Sequence, residues 1–399
     1  MNASARRSER TGMAEHRPLS AASSFDLGQA VTGIEEADLR LFDRLTSVDL
    51  TEEEKALAAR PDRAAPEAEE FLAVHWHPEW APLELIERRL AVAFPRAEKH
   101  LIIPTQHNKI MSLGPWAGVE ADVYDRRYGQ KVQLLIHFKA ERLEKAAALT
   151  AMMEHTYNYR AHQLLDIIEC LIHPHGLPDK VKAALKCSVD GESIQMARFY
   201  AARLKALIET SGIIGSARDE MLKNRLLPDF LLANTGPERR FQAEQALMFI
   251  NAVKKSVKAE LSPAAFYSPQ EVIEEARALG AGVTIPHPPA FWPVLLSDLD
   301  VDGWEIWNPS TPRHTLFLLD VLNRANEGRG GRPRLLAFMG DDTHMSAKFR
   351  RNLSDEKDSL NREIGFQDPW TDRAVAEALS RSGQGLGRTL REYRERLER

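Results

Sequence analysis

The sequence predicts an α/β protein, a barrel of strands and helices interrupted by one large all-helical block. Three observations carry that prediction. Short apolar runs recur and end in His, Asp or Glu, as strands of a parallel barrel would if they delivered ligands to one end. Amphipathic stretches of helical period lie between several of them, which is the strand-then-helix rhythm of α/β folds. From about Glu141 to Ser262 the rhythm stops and the text is helical throughout.

In chain order, residues 1–25 are rich in Ser, Ala and Arg without periodicity and are expected to form a disordered leader. Residues 26–70 predict an N-terminal helical extension, one or two short helices broken near Pro61 and Pro66 and packed outside the barrel. Barrel text opens with Phe71-Leu72-Ala73-Val74-His75-Trp76-His77. Alternate side chains of a strand share a face, so His75 and His77 point one way and Trp76 the other. Pro82 to Phe94 predicts an amphipathic helix through Leu83, Leu85, Ile86, Leu90 and Val92. Leu101-Ile102-Ile103 is the next strand, broken at Pro104 before it presents His107. Gly118 to Tyr124 alternates, with Glu120, Asp122 and Tyr124 on one face, and Val132 to His137 is another run closed by a histidine.

The barrel is thus expected over 71–140 and 263–350, split by a helical insertion at 141–262. Within the insertion His173-Pro174-His175-Gly176 predicts a helix exit, because proline and glycine end helices. Ser268-Pro269-Gln270-Glu271 is a capping box with proline at the first helical position. Strands then follow at Gly282–Ile285, closed by His287, at Gly303–Asn308, and at Leu335–Met339, which runs into Asp342-Thr343-His344. Residues 351–399 predict a C-terminal extension with a charged helix from Trp370.

The apolar fraction of 43% in 399 residues allows a large core, and the formal net charge of -5 argues against general nucleic-acid coating. Nucleic acid is therefore not the favoured partner. Two cysteines, Cys170 and Cys187, make no disulfide framework and fit a reducing compartment. No run approaches the roughly 18 apolar residues of a membrane span, and the N-terminus lacks the apolar core of a signal peptide. The expected location is cytoplasmic without membrane contact, and the helical insertion could serve an oligomer.

Taken in order, His75-Trp76-His77, His107-Asn108, Gly118-Val119-Glu120, His137, Pro286-His287-Pro288, Trp304 to Asn308 and Gly340-Asp341-Asp342-Thr343-His344 resemble the PHP family, named for polymerase and histidinol phosphatase. The resemblance covers about residues 71–140 and 265–350. It implies a distorted (β/α)7 barrel that holds two or three Mn, Fe or Zn ions and hydrolyses phosphoesters. It would put His75, His77, Glu120 and Asp342 around one metal, His107 and His344 around a second, and His137 and His287 around a third that shares Glu120. Imidazole mixed with carboxylate suits those ions. Two departures stand out: Pro82 occupies the position of a usual acidic ligand, for which Glu79 or Glu84 could substitute, and Gln106 replaces the usual Asp before His107.

The implied activity is hydrolysis of small phosphomonoesters by a metal-bridging hydroxide, with Asp342 as ligand and orienting base and with His287 and His107 beside it in catalysis. Lys109 and Lys348 are the candidate phosphate-binding cations. Neither cysteine lies among these motifs, and no G-x-S-x-G is present. An amidohydrolase would need a strand-end lysine that the chain lacks. A nuclease or phosphodiesterase, and a non-catalytic metal-binding interaction module, are the alternatives.

Overall fold

The computed structural model describes residues 25–161, 163–173, 189–260, 262–350 and 361–399. All but the last residue of the expected leader, and also His162, His175 and Cys187, lie outside the described residues. The protein is mixed α/β and divides into two units, residues 1–47 with 163–260, and residues 48–162 with 261–399.

The first unit is helical, with Leu27–Thr32, Glu36–Thr46, Gln163–Ile172, Gly191–Ser211, Leu226–Ala233 and Arg240–Glu260. Its longer elements begin where capping chemistry allows. Asp190 accepts from Ser193 N at 2.7 Å, satisfying a first-turn donor that the helix itself cannot pair. The two helices between residues 27 and 46 pack within this unit. Arg203, on the buried side of Gly191–Ser211, donates to Asp38 Oδ2 at 3.0 Å and to Gly33 O at 2.8 Å. A buried guanidinium must spend its donors on acceptors, and here those acceptors come from the N-terminal pair.

The second unit carries the strands: β1 (Glu70–Ala73), β2 (Trp76–His77), β3 (Lys99–Ile102), β4 (Met111–Leu113), β5 (Trp116–Asp125), β6 (Gln130–Lys139), β7 (Gly282–Ile285), β8 (Gly303–Trp307), β9 (Leu336–Met339) and β10 (Thr343–His344). β1 pairs with β3 and β10 with β2, both parallel, while β4-β5-β6-β7-β8-β9 forms one six-stranded sheet. The sheet is parallel only from β7 to β9. β5 and β6 are a long antiparallel pair, so β6 runs against its neighbours on both sides. The expectation of an all-parallel set fails here, because a four-residue turn after Asp125 returns the chain directly where a helical crossover would be needed for parallel pairing.

Three apolar clusters hold this unit. The largest lies along β5 to β9 and includes Val119, Ile136, Val283, Ile306 and Met339 with the helix Thr315–Glu327 packed on it. A second takes Phe71, Ala73 and Trp76 with Ile86 and Leu90 of the helix Leu83–Ala93. A third takes Leu72, Val74, Leu101, Ile103 and Phe338 with Leu390, Tyr393 and Leu397. Alternation therefore slips between Val74 and Trp76, at the break between β1 and β2, and two consecutive residues, Val74 and His75, lie on the side away from Trp76. The single helix expected from Trp370 is two, Arg373–Arg381 and Leu386–Glu398, interrupted at Gly383 and Gly385, whose positive φ values of 62° and 150° favour glycine.

The helix Ala147–Ala161 belongs to this second unit. Ser262 N donates to Tyr159 Oη at 2.7 Å and His155 Nε2 meets Ala265 O at 3.0 Å. The chain thus leaves for the helical unit and returns at one place.

Candidate metal centre

Seven of the sequence-predicted side chains meet in the second unit. They form three overlapping sets whose ligand atoms all lie within 4.8 Å of one another: His77, His107 and His344; His75, His77 and Asp342; His75, Glu120 and His287. β2 supplies His77, the break before it His75, mid-β5 Glu120, and β10 His344. Adjacency is enforced by backbone pairing: Asp342 N donates to His75 O at 2.8 Å, and Glu120 N to Gln106 O at 3.1 Å.

Apart from His107 Nδ1 and Glu120 Oε2, which are 2.5 Å apart, the ligand atoms are spaced more widely than hydrogen-bond partners. His77 Nε2 lies 3.3 Å from Asp342 Oδ1 and 3.6 Å from Glu120 Oε2, and His75 Nε2 lies 3.6 Å from Asp342 Oδ1. His287 Nε2 is 3.5 Å from Glu120 Oε1 and His344 Nε2 is 3.6 Å from Asp342 Oδ1. These separations are long for N–H···O bonds. Two ligands about 2.1 Å from a tetrahedral ion sit about 3.4 Å apart, which is the range seen. His75 Nε2, both ring nitrogens of His77 and Glu120 Oε1 are buried without a hydrogen-bond partner. Such orphans are costly unless something pairs them. The donor set, imidazole with carboxylate, fits a borderline divalent cation such as Zn, Fe or Mn.

Charge points the same way. Burial opposes the charged form of His75, yet the carboxylates of Glu305, Asp342 and Glu120 raise its pKa to about 10. Burial likewise opposes protonation of His344, but Asp342 and Glu79 lift it to about 9. His77 goes the other way, to about 3, through burial and the neighbouring His344 and His107. Despite burial, the surrounding histidines hold Glu120 and Asp342 well below the ordinary carboxylate range. Buried carboxylates held in the ionised form favour positive charge beside them.

Backbone strain concentrates here as well. The four non-glycine residues with positive φ among the described residues are Glu79 at 53°, Asn108 at 50°, His287 at 26° and Asp342 at 49°. Three are ligand candidates and the fourth follows His107. Such conformations cost of order 1–3 kcal/mol each and persist only where surrounding structure imposes them. Asn108 is held by Asp122, donating to Oδ2 at 2.6 Å and accepting from its backbone N at 2.8 Å.

His137 does not join the cluster. Its Nε2 meets Val74 O at 2.9 Å and its Nδ1 meets Tyr393 Oη at 2.6 Å. A carbonyl only accepts, so Nε2 must carry the hydrogen and Nδ1 accepts from the tyrosine, leaving no lone pair for a metal. The cause is the direction of β6. Glu120 pairs with Leu135 and Gly118 with His137, so the strand has already run past the ligand layer. Burial pushes His137 down to about 3, consistent with a neutral structural imidazole. Gly118 and Gly282 flank His137 across the sheet, and a Cβ at Gly282 would collide with Tyr393.

Lys348 is also corrected. It is buried, and its Nζ faces Asp62 at 3.2 Å and Glu363 at 3.9 Å, so its charge is spent inside the protein. Lys109 is exposed. Of the two acids weighed for the place of Pro82, Glu84 is exposed on its helix, whereas Glu79 Oε1 is 3.8 Å from His344 Nδ1 and its Oε2 accepts from Ser346 N at 2.8 Å.

Two residues escaped the sequence reading. Glu305 lies within a quoted motif yet had no role assigned. Its Oε1 is 2.6 Å from His75 Nδ1 while Oε2 accepts from His287 N at 2.8 Å, so it turns His75 Nε2 towards the cluster. Arg362 lies outside every motif and donates to Asp342 O at 2.9 Å and Oδ2 at 2.8 Å. Glu305 had a faint signal, an acid within the otherwise apolar run Gly303–Trp307; in the structure a Cβ at Gly340 would strike its carboxylate. Arg362 had none.

No family model matches the chain. Nor does any curated protein. Among solved structures it is similar to a provisionally assigned metal-dependent phosphoesterase from Bifidobacterium adolescentis, at 15% identity over 79% of this chain and 98% of that one, with a TM-score of 0.39. No helix among the described residues is long and apolar enough to cross a membrane.

Proposed function

We propose that the protein is a metal-dependent phosphoester hydrolase of the PHP type, acting on small phosphomonoesters. The observation that carries this reading is the set of orphaned buried ligand atoms at metal-ligand spacing, in groups that overlap through His75 and His77. The accompanying fold is a distorted barrel of seven strand positions. In its support, β10 pairs with β2, β1 with β3, and an isolated bridge joins His107 to Glu120 on β5 of the six-stranded sheet.

His75, His77 and Asp342 would hold one ion and His107 with His344 a second, beside Glu79; Glu120 and His287 supply the remaining donors. With His137 committed to Tyr393 and Val74, two ions fit the donor set better than three. Bound divalent ions would supply Lewis acidity and lower the pKa of water to near neutrality. The protein side chains orient and balance charge. Glu305 sets the tautomer of His75, Arg362 holds Asp342 so that Oδ1 faces the histidines, and Glu120 offsets repulsion between cations. No side chain is needed as a covalent nucleophile; Cys170 belongs to the helical unit, away from this donor set in sequence and unit.

Metal analysis of the purified protein, with a phosphoester panel assayed under added Mn, tests the reading. The wild type should carry metal and hydrolyse monoesters, and His75→Ala with His77→Ala should lose both. A wild type that holds no metal and gains no activity with Mn, Fe or Zn overturns it. In ¹⁸O-labelled water, a water nucleophile puts the label into released phosphate on the first turnover.

A further inference from the structure

We infer that Arg362 receives the anionic end of the substrate and thereby selects phosphomonoesters over diesters; this rests on the phosphoester reading above. Among the described residues only Nη1 of its guanidinium is engaged, on Asp342 O and Oδ2 at 2.9 and 2.8 Å. The other oxygen of that carboxylate, Oδ1, faces His75, His77 and His344 at 3.6, 3.3 and 3.6 Å. The guanidinium therefore stands one carboxylate away from the ligand set, with its side chain 14% exposed.

The edge formed by Nε and Nη2 is the fork that matches two oxygens of an oxyanion. Elsewhere in the chain that edge is used inside the protein: Arg89 Nε and Nη2 each donate to Glu363 at 2.6 Å. In Arg362 it is unspent. Nε is buried without a hydrogen-bond partner, and Nη2 makes no hydrogen bond among the described residues. Burying an N–H without an acceptor is unfavourable unless a ligand supplies one. Lys348, named from the sequence, does not compete for the role, since it is paired with Asp62.

Oxygen count gives the substrate class. The fork takes two oxygens and the metal cluster needs at least one more. A phosphomonoester offers three terminal oxygens, a diester only two.

The test is calorimetric binding of inorganic phosphate to the Mn-loaded full-length protein and to Arg362→Lys and Arg362→Gln, with Mn content measured on each sample. Phosphate affinity should fall about ten- to a hundredfold in both variants. Mn content should be kept in Arg362→Lys, whose ammonium can still hold Asp342. Unchanged phosphate affinity, or a loss that merely follows loss of Mn in both variants, overturns the inference. Dimethyl phosphate competing as well as methyl phosphate in the wild type overturns the selection of monoesters. A Mn-loaded wild type that binds no phosphate at all instead sinks the phosphoester reading itself.

Discussion

At the scale of single residues, the chemistry depends on which nitrogen and which oxygen each side chain offers. Glu305 has both oxygens committed, one to His75 Nδ1 and the other to His287 N and Asn308 Nδ2. Glu305→Gln should lower metal affinity about tenfold or more, read by chelator competition, because such partners fix the orientation and basicity of a metal-binding histidine. His137 supplies the contrast. His137→Gln should keep the metal content of the wild type and cost about 1–3 kcal/mol of stability at pH 8, from disturbed buried hydrogen bonds. The folded-state pKa of His137 is lowered to about 3, so the unfolded chain takes up its proton first as pH falls below about 6.5. The wild type therefore loses this contribution between pH 6.5 and 3, and the stability gap to His137→Gln should narrow over that window. Urea unfolding of the metal-free proteins at stepped pH checks it.

At the scale of elements, one buried ion pair ties together segments far apart in the chain. Arg89, fully buried on the helix Leu83–Ala93, gives Nε and Nη2 to Glu363 and Nη1 to the carbonyls of Leu57, Ala58 and Arg60. Those carbonyls end the helix Glu52–Ala59, so the guanidinium caps one helix from another and anchors residue 363. Removing one partner leaves an uncompensated buried charge. Glu363→Ala should cost about 3–5 kcal/mol by denaturant unfolding. It should also loosen Arg362 next to it, so phosphate affinity should fall with stability. The long β5–β6 pair acts at the same scale: its register places Glu120 in the ligand layer and His137 below it.

At the scale of the whole molecule, every candidate ligand among the described residues lies in the second unit. The departure and return of the chain are joined by Tyr159, Phe266 and Ser262, with the two rings 5.5 Å apart. Replacing residues 163–260 by a short Gly/Ser linker and removing residues 1–47, whose helices Leu27–Thr32 and Glu36–Thr46 pack with them, should therefore leave metal content unchanged. Metal analysis of that shortened protein checks it, and loss of metal would show that the helical unit is needed to hold the centre together. Entropy of closing a short loop between neighbouring ends is small enough to permit the excision.

Much of the strand inventory was legible in the sequence, because alternation, capping residues and prolines act over a few neighbours. The shared face of His75 and His77, the capped helix at Ser268 and the strand before His287 are all local consequences of backbone geometry. The order in which His, Asp and Glu close apolar runs likewise foreshadowed the cluster. Strand direction was not legible: an apolar run ending in histidine looks the same whether it runs with or against its neighbours, and so His137 could not be told from His287. Tyr393, which closes His137, is 256 residues away, and Glu305 reaches His75 across 230. Arg362 and Lys348 are alike as isolated cations, yet one keeps a free hydrogen-bonding edge beside Asp342 and the other is neutralised by Asp62 and Glu363. Local periodicity thus determined which residues could be ligands. Long-range register and hydrogen bonding decided which of them still have a lone pair to give.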